Sequence, residues 1–193
     1  MRAMAVQPTH PTDGATGSLE HAPLLLTLQL AEPAQSLFQA LCTRHFPEQR
    51  NLVPAHVSLF HALPGSDRRQ IVQVMQALQA ERPAILVEPP RLIGRGVAFP
   101  LAAPDLVALR ARLASTWSAE LSRQDRERFR PHVTVQNKVT PELARETLRR
   151  LQHGFVPWST EGTALLLWRY LGGPWEAVER VELLQRPEPA RLP

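Results

Sequence analysis

At 193 residues, 44% hydrophobic and 21% charged, the chain carries enough apolar material for one domain or two small lobes on a shared core, which excludes a disordered protein. A net charge of +4 is mild; it fits an anionic ligand without demanding one, and every basic residue but Lys138 is Arg, whose planar fork suits phosphate. The lone Cys42 excludes an intramolecular disulfide and a Cys-based metal site, and no apolar run approaches the ~20 residues of a membrane span, so a soluble, cytoplasmic protein is expected.

Residues 1–22 are rich in Pro, Thr, Gly and His and lack the apolar centre of a secretion signal, so they read as a disordered tail. Leu24 to Leu30 predicts a buried strand. Pro33 to His45 predicts a helix with Leu37, Ala40 and Leu41 at helical spacing, closed by Pro47. A strand containing His56 follows and stops at Pro64-Gly65. Ser66 is a predicted N-cap for a helix over Asp67 to Ala80, with Ile71, Val74, Met75 and Leu78 as its apolar stripe.

Ile85 to Val87 begins another strand, and Arg91 to Leu101 reads as a strand pair around Gly94-Arg95-Gly96. Asp105 to Leu121 predicts a helix with Leu106, Leu109, Leu113 and Trp117 inward. A polar stretch from Ser122 to Arg130 precedes a strand containing His132. Thr140 caps a helix from Pro141 to Gln152, with Pro at its first position and Glu142 in its first turn. Thr163 to Tyr170 and Ala177 to Leu184 read as closing strands joined at Gly172-Gly173-Pro174, and residues 187–193 as a loose tail. The order lacks regular strand–helix alternation. It predicts an α+β fold over residues 23–186, of two similar lobes with antiparallel sheets lining a central cleft and helices outside.

Two segments say the same thing. His56-Val57-Ser58-Leu59 and His132-Val133-Thr134-Val135 both run His, apolar, hydroxyl, apolar, each after a Pro-bearing extended stretch, and His132 lies 76 residues after His56. On a strand, residues i and i+2 share a face, so each motif presents an imidazole and a hydroxyl together. Side by side, two such strands would place two His and two hydroxyls around one small volume, suited to acid–base work on a phosphate.

The paired motifs, with Arg130-Pro131 before the second and the Trp168-Arg169-Tyr170…Gly172-Gly173-Pro174-Trp175 stretch, resemble the 2H phosphoesterase family, in particular its bacterial 2′-5′ RNA ligase and 2′,3′-cyclic phosphodiesterase members. The resemblance covers Leu24 to Leu184 and implies a bilobal fold with a pseudo-twofold axis. It implies that His56 and His132 are the catalytic pair, that Ser58 and Thr134 bind phosphate oxygens, and that no metal or organic cofactor takes part. The implied reaction opens a 2′,3′-cyclic phosphate on an RNA end or small nucleotide to a 2′-phosphate, with 2′-5′ ligation as its reverse.

Arg130 is the first candidate for a charged fork on the phosphate. Phe60, Trp168 and Tyr170 are base-stacking candidates, with core packing as the rival reading of each. The sequence does not separate acid from base between the two His. A zinc site is disfavoured because His56 and His61, five residues apart, should face opposite ways on a strand, and no third ligand stands near; His61 could instead line the groove rim. The alternatives are an RNA-end-binding module without chemistry, and a phosphodiesterase for a non-RNA nucleotide such as a cyclic phosphate derived from ADP-ribose. A monomer is expected, since two lobes of one chain complete the site.

Overall fold

The computed structural model describes residues 21–186; residues 1–20 and 187–193, which hold most of the expected tails, lie outside the described residues. Eight strands and four α-helices follow the order β1 (Leu24–Leu30), α1 (Ala34–His45), β2 (Val57–Leu63), α2 (Arg68–Ala77), β3 (Ala84–Val87), β4 (Arg91–Ile93), β5 (Gly96–Ala102), α3 (Pro104–Thr116), β6 (His132–Gln136), α4 (Pro141–Gln152), β7 (Trp158–Tyr170) and β8 (Trp175–Glu182). The fold is α+β, as expected.

Every pair of named strands is antiparallel, and the pairing closes on itself: β1, β2, β6, β5, β3 and β7 neighbour one another in that order, and β7 returns to β1. β4 is a hairpin partner of β5, and β8 of β7. Exchanging β1, β2 and β3 with β5, β6 and β7 leaves this pattern unchanged. The chain is therefore two β-α-β-α-β halves related by a pseudo-twofold, whose axis passes between β2 and β6.

The first helix of each half crosses to back the other half's His strand. Phe38 of α1 meets Phe99 of β5 at 5.4 Å and Trp158 of β7 at 5.8 Å, and Cys42 Sγ donates to the Thr134 carbonyl. Arg110 of α3 donates from Nε to the Leu59 carbonyl, and Trp117, just past α3, packs edge-on against Phe60 at 5.2 Å. One continuous core results, with Leu26, Leu28, Phe38, Val57, Phe60, Leu106, Val133 and Leu165 all buried. Cys42 sits in it, and burial pushes its thiol up to about 11, so it behaves as an inert apolar residue.

Several elements differ from expectation. The inward stripe of α1 is Ala34, Phe38 and Cys42, and Leu37 is exposed, because the large Phe side chain wins the place against Phe99. Ser66 does not cap α2: Gly65 to Asp67 form a 3₁₀ turn first, and the Ser66 hydroxyl bonds Asp67 instead. Helices α2 and α3 stop earlier than expected, at Ala77 and Thr116. Strand β7 starts five residues early, at Trp158; its polar first residues pair with β3, and Gly162 is needed where a Cβ would lie 2.6 Å from Leu28. The Thr140 cap stands, its Oγ1 accepting from the Leu143 N–H at 3.3 Å.

Candidate active site

Strands β2 and β6 touch through a single bridge, Val57 against Val133. These are the second residues of the two motifs. In an antiparallel pair that register sets His56 across from Thr134 and Ser58 across from His132. Val57 and Val133 are fully buried, so the four polar side chains stand on the opposite, open face. The cleft above them has two halves. One, of about 430 Å³, is walled by His56 and Thr134 with Arg50, Lys138, Tyr170 and Trp175. The other, of about 290 Å³, is walled by His132 and Ser58 with His61, Arg128 and Arg130.

Both imidazoles are held alike. His56 Nδ1 bonds the Pro54 carbonyl at 2.6 Å, and His132 Nδ1 bonds the Arg130 carbonyl at 2.8 Å. A carbonyl only accepts, so in each ring Nδ1 carries a proton, which leaves Nε2 as the nitrogen that takes a proton in the neutral ring and gives one in the charged ring. The Pro-bearing stretch before each motif supplies that carbonyl. Burial lowers the pKa of His56 below the ordinary histidine value, the Pro54 bond opposes this, and charge on His61 or His132 lowers it further. Trp175 lies against the His56 ring at 4.9 Å and is part of its cover.

Of the residues expected at the site, His56, Ser58, His132, Thr134, Arg130 and Tyr170 all line the cleft. Phe60 does not. The partner of β2 jumps from Ser58 to Phe60 between Thr27 and Leu26, leaving Leu59 as a bulge, and this turns Phe60 into the core, where it is fully buried. No base can stack on it. Phe60→Ala should instead cost about 3–5 kcal/mol of stability, read by chemical denaturation, with substrate KM unchanged at temperatures where the variant is folded. Trp168 is also set back: its Nε1 donates to Thr27 Oγ1 at 2.9 Å, and its ring supports Trp175 at 6.1 Å.

The same bulge brings His61 back to the open side, so the expectation that His56 and His61 face opposite ways fails, and the groove-rim reading of His61 holds. Asp125, from the polar stretch before β6, reaches across to it. Its carboxylate accepts from the His61 and Ala62 backbone N–H groups at 2.9 and 3.1 Å, from Ser122 Oγ at 2.8 Å and from His61 Nδ1 at 3.1 Å. Burial pushes the Asp125 pKa up, but these bonds outweigh it and hold it at about 2. Arg110, beneath, donates to the Asp125 carbonyl and lies over the Phe60 ring at 4.6 Å. Trp175, Asp125 and Arg110 were missed as site residues. The sequence signals were the place of Trp175 in the stretch that carries the family resemblance and Arg110, a charge inside the Leu106–Leu109–Leu113 stripe. Among the described residues, no three His, Cys, Asp or Glu side chains converge as metal ligands.

Two His-x-Ser/Thr strands meeting on a pseudo-twofold, floor of one open cleft, define a 2H phosphoesterase architecture. The chain belongs to the 2′-5′ RNA ligase superfamily, whose model matches residues 28–174. Solved structures with similar folds include E. coli LigT complexed with 3′-AMP, 16% identical, covering 86% of this chain and 99% of that one at a TM-score of 0.60. The Thermus thermophilus protein TT0787 is likewise 16% identical, covering 83% and 97% at a TM-score of 0.52. No curated protein is similar enough in sequence to register as a relative. Membership implies phosphoesterase or ligase chemistry; likeness at this identity shows the fold alone.

Proposed function

We propose that the cleft opens 2′,3′-cyclic phosphates, on RNA ends or small nucleotides, to 2′-phosphates by acid–base catalysis between His56 and His132. The observation that carries this reading is the Val57–Val133 register, which sets an imidazole and a hydroxyl on each side of the axis. A phosphate seated there meets donors from Ser58 and Thr134 on its non-bridging oxygens as charge builds. His56, neutral through burial, takes the proton of the attacking water; a P–O bond to that water forms as the P–O3′ bond breaks, and His132 gives its proton to the leaving O3′. An RNA 5′-hydroxyl in place of water would yield a 2′-5′ linkage by the same steps. Arg130 supplies a charged fork from the rim.

This reading assigns the acid, the base and the phosphate donors to side chains and calls for no metal or cofactor. Tyr170 and Trp175 make the His56 half suited to a base. Nucleotide ligands fit what is known of a relative by fold, since E. coli LigT has been crystallised with 3′-AMP, ATP and NADP+; the NADP+ complex favours a non-RNA nucleotide as the second reading. One chain carries both motifs, so the reading assigns a monomer. Among the described residues no helix is long and apolar enough to cross a membrane, and the cytoplasm is the compartment this reading assigns.

The test is the pH profile of kcat/KM on a 2′,3′-cyclic nucleotide. Protonating His56 removes the base, so activity should fall on the acid side with a midpoint below 6.5. Trp175→Ala should admit water to His56 and move that midpoint up toward 6.5. An acid limb at or above 6.5 in the wild type would overturn the role given to His56.

A further inference from the structure

The two halves of the cleft break the symmetry that the fold sets up. Counting five residues past each motif His reaches His61 in one half and Asn137 in the other. The His56 half sets Tyr170 and Trp175 beside Arg50 and Lys138, and the His132 half sets His61, Arg128 and Arg130 beside Asp125 and Glu127. We propose that His61, locked by Asp125, forms with Arg128 a subsite for a second phosphate, one ribose away from the phosphate that reacts. This rests on the reading of the His pair given above.

Four observations support it. First, the bulge at Leu59 is what turns His61 toward the cavity shared with Ser58 and His132. His61 stands three residues beyond Ser58, at most about 10 Å along the strand, within the reach of one nucleotide unit. Second, the ring is fixed before any ligand arrives. Asp125, 1% exposed, holds Nδ1 at 3.1 Å, so the opposite nitrogen, Nε2, points away from the carboxylate, on a side chain that is 42% exposed. Third, Nε2 has no partner among the described residues, and neither Arg128 nor Arg130 has a carboxylate within ion-pair distance there.

Fourth, the acids lining this half are Asp125, whose oxygens are already taken by four donors, and Glu127. Arg128 and Arg130 outnumber that one remaining carboxylate, and His61, when its ring is charged, adds an Nε2–H donor, so an anion fits this lining. The reacting phosphate is served by His56, His132, Ser58 and Thr134 on the axis and by Arg130 from the rim, which leaves His61 and Arg128 beyond it. The donors beyond it need a second anionic group. With the base against Tyr170 and Trp175, the 5′ side of the ribose falls toward His61 and Arg128.

The experiment is calorimetric titration with uridine 2′-phosphate, uridine 2′,5′-bisphosphate and a dinucleotide ending in a 2′-phosphate. Wild type should bind the bisphosphate at least about tenfold more tightly than the monophosphate, the gain of one charged hydrogen-bonded contact. His61→Asn keeps an amide donor for Asp125 but lacks Nε2. It and Arg128→Ala should each remove most of that gain and leave monophosphate affinity within about twofold, with an unchanged melting temperature for His61→Asn. A gain shared by the dinucleotide identifies an RNA strand as the source of the second phosphate, and a gain confined to the bisphosphate identifies a 5′-phosphorylated nucleotide. Equal loss on all ligands in His61→Asn, no gain in wild type, or no binding at all overturns the subsite. Because the titration reads binding, a protein that gains affinity but turns nothing over would sink the phosphodiesterase reading and leave the subsite standing.

Discussion

Replacing either His56 or His132 with Ala should lower kcat on a 2′,3′-cyclic nucleotide by about 10²–10⁴-fold, the range for loss of one proton-transfer group. Replacing both should cost little more than replacing one. Acid and base act in one concerted opening of the ring, so either loss removes the shared transition state. The double variant is the informative one: a loss equal to the product of the single losses would mean two independent contributions and would contradict a coupled pair. Each variant should remain folded, because both rings sit on the open face and each makes one bond, to a backbone carbonyl.

Asp125→Ala should destabilise the fold by about 3 kcal/mol. It strands the His61 and Ala62 N–H groups, which lie where the bulge disrupts the β1–β2 ladder, and frees Ser122. Native Asp125 also sets an acid limit. Its folded pKa of about 2 lies below the ordinary 3.8, so the folded state favours the carboxylate. The stabilisation is full above about pH 4 and is lost as the pH falls toward 2. Urea unfolding of wild type and variant at pH 7 and pH 3 would measure it: the gap between them should narrow at pH 3. A gap independent of pH would mean that the carboxylate charge contributes nothing.

The floor of the candidate site was legible in the sequence because its information is local. A His and a hydroxyl two residues apart on a strand must share a face, and a repeat of that pattern says that the faces meet. Thr140 and the Pro-bearing stretches before each His were legible for the same reason. Phe60 was not. Alternation assigns it to the face of His56 and Ser58, and it is overruled by a bulge that depends on β1, a strand some thirty residues away. His61 moved the other way for the same cause. Asp125 meets His61 across 64 residues, and no local pattern carries such a pairing. Trp168 and Trp175 show a further limit: both are aromatic and near the cleft, but only the β7–β8 register, with its slip at Trp168, decides which ring covers His56. The closed strand order was out of reach because β5 and β7 each pair with three strands, and the part of β7 that pairs with β3 includes the polar Ser159, Thr160 and Glu161.

The most direct test of the central claim is phosphorus NMR of a 2′,3′-cyclic nucleotide incubated with the purified protein in EDTA. The expected result is conversion of the cyclic phosphate signal to that of a 2′-phosphate, absent with His56→Ala and with His132→Ala. An unchanged spectrum from folded wild type, a 3′-phosphate product, or turnover that appears only when a metal ion is restored would contradict the two-histidine account.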